Sequence, residues 1–397
     1  MKKIIVFTAT RAEYGLLKWI IKNLNRKYKV IVIAGGTHLS LEDGYTINEI
    51  INDGINNVLE LPFLLSSRNC ASLTISVGNG LIQMAQIFQI YKPNYTLLLG
   101  DRHEIFIPSI TSLLCNVPIV HLHGGEITEG VIDEQIRHAI TKMAHIHMPS
   151  TEFYGENISR MGEEDWRIHI VGAPGLENAV KEKLFSINEI KKEIGLDLTE
   201  PSILCTYHPV TLESINNTKS QIENIINAFS KFDNFQIIFT RPNAEVGSEI
   251  IIKEIRKAIE ERKGRWFFFE SLGMRLYQSI LKYIKALTGN SSSGIYEASF
   301  FKIPAVDIGN RQKGRYKPKS VISCGYSEEE IIESLKIALY DKNFRTKIES
   351  MKCPFGDGKT SEYLLKAFNN FANLPNEKIL KKKLDFKVKK NEWHRYF

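Results

Sequence analysis

The stretch Ile4-Ile5-Val6-Phe7-Thr8-Ala9-Thr10-Arg11-Ala12-Glu13-Tyr14-Gly15 decides the fold. Four successive apolar residues read as a strand buried on both faces, the kind found in parallel sheets. The polar residues that follow open a helix, so the stretch is one strand-loop-helix unit. Short runs of the same kind recur at Val30–Ala34, Thr96–Leu99, Ile119–Leu122, His145–Met148 and Ile168–Val171, with helical spacing at Gly80–Ile90, Glu134–Met143 and Glu152–Met161 between them. Such alternation predicts a doubly wound sheet.

A Lys/Glu-rich stretch from Lys181 to Leu198 leads to Pro201, and a second series begins: Ile203–Tyr207, Phe235–Phe239, Trp266–Phe269, Ala286–Thr288 and Ala305–Ile308. Helices are expected at Ser220–Phe232, Glu249–Glu261, Met274–Lys282, Gly294–Phe301 and Glu328–Tyr340. A chain of 397 residues exceeds what one core organises, which agrees with two series. The fold class is therefore α/β, with two Rossmann-like doubly wound domains and a cleft between them. The first domain covers 1–174 and the second, read as nucleotide-binding, 175–358; a helix at 359–375 and a basic tail at 376–397 follow.

The formal charge of +7 is concentrated in that tail, where eight Lys and Arg face three acidic residues. A solvated charged end explains it, and nucleic acid is not an expected partner. Five cysteines, far apart and never paired as Cys-x-x-Cys, suggest neither a zinc ribbon nor a disulfide framework. No apolar run reaches 18 residues and Ile4–Phe7 is too short for a signal sequence, so a cytoplasmic protein without membrane insertion is expected.

In open α/β sheets, ligands sit beyond the carboxyl ends of strands. Thr8–Gly15 lacks the glycine fingerprint of a nicotinamide site, yet Arg11 can meet an anion there; a structural salt bridge is its ordinary alternative. Gly100-Asp101-Arg102-His103-Glu104 places a carboxylate and a guanidinium after a strand, as a base and a cation or as a local ion pair. His121-Leu122-His123-Gly124-Gly125-Glu126, with Asp133, Glu134, Arg137 and His138 beyond it, is denser. Strand alternation puts His121 and His123 on one side, and paired carboxylates near imidazoles suit proton abstraction and return. Helix-end acids and a core histidine are the alternative reading. In the second half, His208 ends a strand, and Gly289-Asn290-Ser291-Ser292-Ser293-Gly294 suits a diphosphate or serves as a plain cap. Glu297 suits ribose hydroxyls, and Arg311 adds a cation after the next strand.

Thr-Arg-Ala-Glu-Tyr-Gly at 10–15, Gly-Asp-Arg at 100–102, Gly-Gly-Glu at 124–126, Asp-Glu-Gln-Ile-Arg-His-Ala-Ile-Thr-Lys at 133–142, His-Pro-Val at 208–210, Gly-Asn-Ser-Ser at 289–292 and Gly-Asn-Arg-Gln at 309–312 occur in that order. In this the chain resembles the hydrolysing UDP-N-acetylglucosamine 2-epimerases, in the branch that feeds sialic and legionaminic acid synthesis. The resemblance spans most of 1–360 and implies a glycosyltransferase-B-like architecture whose last helix, around Thr360–Asn373, crosses back to the first domain. It also implies loss of the nucleoside diphosphate across C1–C2 to give a glycal, then hydration with inversion at C2, with neither cofactor nor metal. UDP-N-acetylglucosamine, giving N-acetylmannosamine, is the first substrate expected; a UDP- or GDP-linked 2,4-diacetamido-trideoxyhexose is the alternative. A glycosyltransferase and a non-catalytic nucleotide-sugar binder are the readings of other classes.

By motif position, Asp101, Glu126, Asp133 and Glu134 become acid/base candidates, with His123, which stands where many relatives carry Glu, and His208 becomes a catalytic or phosphate-facing group. Nucleotide contacts fall to Arg11, Arg102, Asn243, Ser291, Ser292, Ser293, Gly294, Glu297 and Arg311. Relatives suggest a homodimer or tetramer.

Overall fold

The computed structural model describes residues 1–67, 69–129, 132–210, 215–243 and 245–385 of the chain. They form two compact units. The first comprises 1–127, 131–177 and the chain from 359 on; the second is 178–358 with 128–130.

In the first unit, strands β1 (Lys3–Thr8), β2 (Lys29–Gly35), β3 (Val58–Leu61), β4 (Tyr95–Leu99), β5 (Ile119–Leu122) and β6 (Ile146–Met148) form a parallel sheet in the order β3-β2-β1-β4-β5-β6. Alternate residues of β1 serve opposite layers. Ile4 and Val6 enter one apolar cluster, and Ile5 and Phe7 the other. The helix Thr360–Phe371 seals the first layer. Phe368 meets the Tyr95 ring with centroids 4.9 Å apart, the Tyr28 hydroxyl donates to Asn369 at 2.7 Å, and the Ser361 N–H donates to buried Glu177 at 2.7 Å.

The second unit repeats the topology. Strands β7 (Ser202–Thr206), β8 (Gln236–Thr240), β9 (Trp266–Phe269), β10 (Ala286–Gly289), β11 (Ala305–Ile308) and β12 (Val321–Cys324) lie parallel in the order β12-β11-β10-β7-β8-β9. In both sheets the order reverses once, between β1 and β4 and between β7 and β10, and ligands of such folds bind at that reversal.

Several elements differ from expectation. Ile168–Val171 is not a strand: only Ile168 bridges to His147, because β6 ends at Met148 and the next residue, Pro149, has no N–H with which to extend the ladder. The helix expected at Gly80–Ile90 begins at Cys70, where the Asn69 side chain accepts from the Ser72 N–H at 2.9 Å. Its Gly80 lets the helix Phe106–Leu114 come close, since a Cβ there would stand 2.3 Å from Ile107. In place of one helix over Gly294–Phe301 there is a tight turn at Ser292–Gly294 and a helix of only five residues, Tyr296–Phe300.

The start of the basic tail is docked rather than solvated. Ile379 is fully buried, Arg167 donates to its carbonyl at 2.7 Å, and Lys382 pairs with buried Glu163 at 2.7 Å. Residues 386–397, the rest of the tail, lie outside the described residues. Among the described residues no helix is long and apolar enough to cross a membrane.

Candidate active site

In the first unit, the loops that leave β1, β4 and β5 share the carboxyl edge of the sheet. The helix Ile132–Met143 carries Arg137 to them with 1% of its side chain exposed. A guanidinium buried to that degree needs compensation. It pairs with Asp101 after β4, with Glu134 one turn earlier at 2.8 Å, and with the Glu126 backbone carbonyl at 2.8 Å. Asp101 and Glu134 are thereby held on one planar cation, while 27% and 21% of their side chains stay open. The second Glu134 oxygen meets His138 Nε2 at 3.0 Å.

His123 and His121 do not share a side. β5 ends at Leu122, and His123 turns off in the left-handed region at φ 59°, which brings its Nδ1 onto the Glu126 carboxylate. His121 stays in the strand, fully buried, and donates from Nε2 to the Gly100 carbonyl at 2.7 Å. Burial pushes its pKa down to about 3, which fits a neutral core residue that shapes the Asp101 loop. Asp133, half-buried beside this group, has its pKa raised, first by burial and then by the charge of Asp101.

Arg102 is gripped by Glu104 through two nitrogens, at 2.8 and 3.2 Å, and lies 3.7 Å from Glu13. Glu13 closes a capping box: its Oε2 accepts the N–H groups of Ala9 at 2.7 Å and Thr10 at 3.2 Å. Burial, opposed by the Ala9 hydrogen bond, lifts the Glu13 pKa to about 7. Arg11 stands apart. Its side chain is 65% exposed and pairs with Glu49 at 2.9 Å, the ordinary surface salt bridge.

In the second unit, His208 after β7 and Asn290 after β10 clasp each other across the reversal of strand order. The His208 N–H donates to the Asn290 side-chain oxygen at 2.7 Å, and the Asn290 amide donates back to the His208 carbonyl at 2.8 Å. Gly289 makes this approach possible, since at φ 111° a Cβ would lie 2.0 Å from the Thr206 carbonyl. The Asn243 N–H donates to His208 Nδ1 at 3.0 Å, so the ring proton sits on Nε2. Burial, aided by the charge of Arg311, pushes the His208 pKa down to about 3. Glu245 ties Arg311 at 3.3 Å and the Asn243 amide at 3.2 Å. In the serine turn, Ser291 accepts from the Ser293 N–H at 3.4 Å, and the Ser293 hydroxyl accepts from Tyr277 at 2.7 Å. With so short a helix behind it, and with the N–H groups of Ser293, Gly294 and Ile295 donating within the turn itself, the serine turn offers its hydroxyls rather than a helix dipole. Glu297 is half-buried, and burial raises its pKa to about 7.

The structure thus gathers Asp101, Glu134, Glu126, His123, Asp133 and Arg102 at one edge of the first unit, and His208, Asn243, Arg311 and the serine turn at one edge of the second. Arg137, Glu13, Glu104 and Asn290 stand within the sequence motifs without a role assigned to them there, and Glu245 was not singled out. Arg137, Asn290 and Glu245 act through partners distant in the chain, whereas Glu104 grips Arg102 two residues away and Glu13, in Thr-x-x-Glu, reads first as a cap.

A profile described as UDP-N-acetylglucosamine 2-epimerase matches residues 22–369. The chain is 34% identical over 364 residues to a UDP-N,N'-diacetylbacillosamine 2-epimerase (hydrolyzing) of Legionella pneumophila, covering 91% of this chain and 94% of that one. It is 33% identical over 347 residues to a GDP/UDP-N,N'-diacetylbacillosamine 2-epimerase (hydrolyzing) of Campylobacter jejuni, covering 86% and 89%. The fold is similar to that of the Neisseria meningitidis UDP-GlcNAc 2-epimerase solved with UDP-GlcNAc, with a TM-score of 0.79 at 16% identity over 93% of this chain and all of that one.

Proposed function

The chain belongs to the UDP-N-acetylglucosamine 2-epimerase family and is a hydrolysing 2-epimerase, and from that premise we propose that it acts on a UDP-linked 2,4-diacetamido-trideoxyhexose. The observation that supports the chemistry best is the double pairing of buried Arg137 with Asp101 and Glu134. In this reading one carboxylate takes the proton from C2 while the C1–O bond breaks and the electron pair leaves with UDP. The glycal that remains is hydrated: an acid returns a proton to C2 on the opposite face, and water adds its oxygen at C1.

The first step needs a base aimed at a carbon acid of low acidity and donors that stabilise the departing diphosphate. Arg137 fixes the carboxylates in place without removing them from solvent. Glu126 with His123, and Asp133, whose pKa burial and the charge of Asp101 raise, are the groups placed to return a proton. Neutral His208, with Nε2–H, and Arg311 serve the leaving phosphates, together with Asn243 and the hydroxyls of Ser291, Ser292 and Ser293. Glu297 takes the ribose. Arg11 enters only if it leaves Glu49.

The diacetamido sugar is preferred because the two relatives at 33% and 34% identity carry it in their names. Conversion of UDP-N-acetylglucosamine to N-acetylmannosamine and UDP is the second reading, supported by the description of the family. Incubation of the purified protein with each sugar on UDP and on GDP separates them. Release of UDP and the 2-epimer from the diacetamido sugar is expected; exclusive use of UDP-N-acetylglucosamine reverses the preference.

A further inference from the structure

A cavity of about 400 Å³ opens on the carboxyl edge of the first sheet, walled by Leu39, Leu41, Pro62, Leu64 and Leu65, with Ser40, Glu42 and Ser66 at its polar margin. Its size falls among small-molecule sites, which run from roughly 300 Å³ upward. The walls are built, not incidental. Gly36 has φ 57° and a Cβ there would lie 2.7 Å from the Ala9 carbonyl, which holds the Leu39 wall against the loop that leads into the helix Arg11–Leu24. The Thr37 N–H donates to the same carbonyl at 2.9 Å, and His38 meets Thr8 at 3.0 Å. The opposite wall hangs from the helix Cys70–Tyr91: Gln83 donates to the Pro62 carbonyl at 3.1 Å, and Ser76 accepts the Leu65 N–H at 3.0 Å.

Between these walls, Leu41 is 83% exposed and Leu65 37% exposed. Apolar side chains held open on fixed backbone favour a ligand with apolar surface. The strand order puts the cavity, at the ends of β2 and β3, two to three strands from the β4 loop of Asp101, or about 10–14 Å at the usual spacing.

We propose that this cavity holds the C4 acetamido and C6 methyl groups of the sugar and selects the diacetamido-trideoxyhexose over its hydroxylated counterpart. The inference rests on the reading of the function above. C4 lies across the ring from C1, so its substituent points away from the bond that breaks. The acetamido methyl and the C6 methyl meet the leucines, while the amide N–H can donate to Glu42 and the carbonyl can accept from a serine. N-acetylglucosamine would bring hydroxyls in place of the two methyl groups to the same leucines, which offer no hydrogen bond.

The test is a pair of near-isosteric surface changes, Leu41→Asn and Leu65→Asn, made singly and together, with thermal unfolding midpoints recorded to confirm folding. For the double variant, KM for the diacetamido substrate is expected to rise roughly tenfold, the scale of a lost apolar group in a substrate pocket, with kcat and the Kd for UDP little changed. An unchanged KM, or equal effects on both sugars, overturns the assignment. The wild-type protein keeps the two readings apart. Turnover of the diacetamido sugar with no response in the variants sinks the cavity alone, whereas wild-type inactivity on that sugar sinks the functional reading and the cavity with it.

Discussion

Arg137 and Asp101, 36 residues apart in sequence, form an ion pair in which the arginine is almost wholly buried and the aspartate is 27% exposed. The asymmetry orients one carboxylate oxygen inward and leaves the other side of the group facing outward. Glu134 repeats the arrangement on a second nitrogen.

Arg137→Lys tests whether that orientation matters. Lysine keeps the charge but cannot hold two carboxylates on a planar fork. The variant is expected to lose about 100-fold or more in kcat with a smaller change in KM, the pattern of an interaction realised in the transition state. Steady-state kinetics of UDP release measures it, and equal kcat in the two proteins would show that Arg137 is only a core ion.

Glu13 gives a stability prediction with a definite sign. Its pKa is about 7 in the folded chain against 4.5 for an ordinary glutamate, so the folded state holds more protons between those values. Stability is then lost as pH rises through this window, by an amount on the order of 3 kcal/mol as an upper bound. Urea denaturation of wild type and Glu13→Gln at pH 5 and pH 8 checks it: the variant should gain on the wild type at the higher pH, and a pH-independent difference would contradict it.

Histidines act in the opposite direction. His121 and His208 have pKa values pushed down to about 3, and His38 and His145 to about 4, all chiefly by burial. Unfolding frees each to take a proton near pH 6.5, so stability is lost as pH falls from there toward 4. Acid titration followed by circular dichroism should show this loss. In the same range, nitrogen NMR should find His208 neutral with its proton on Nε2; a charged ring at pH 6 would rule out the neutral-donor role.

The alternation of strand and helix was legible because parallel strands are apolar on both faces, as in β1 and β4. β12 escaped because none of its residues is buried, so it lacks the apolar-run signature of the others. The start of the helix Cys70–Tyr91 escaped because Ser, Thr, Gly and Asn resemble a loop until Gly80 packs on Ile107. For the site, motif residues such as Asp101 and His208 could be chosen from their place after strands. Arg137 and Asn290 could not be ranked in the same way, since what distinguishes them is burial against a partner 36 or 82 residues away.

Phe368 anchors the helix Thr360–Phe371 between Tyr28 and Tyr95, with ring centroids at 5.1 and 4.9 Å. Phe368→Ala is expected to cost the first unit about 3–5 kcal/mol, as buried aromatic truncations do. Chemical denaturation reads this directly, and a loss below about 1 kcal/mol would mean that the helix is not part of that core.

The central claim is elimination followed by hydration with inversion at C2. The most direct measurement is mass and NMR analysis of the sugar released in deuterated water, alongside UDP. The account predicts one deuterium at C2 and inverted configuration there. UDP release with protium and the original configuration at C2 would mean plain hydrolysis at C1 and would contradict it.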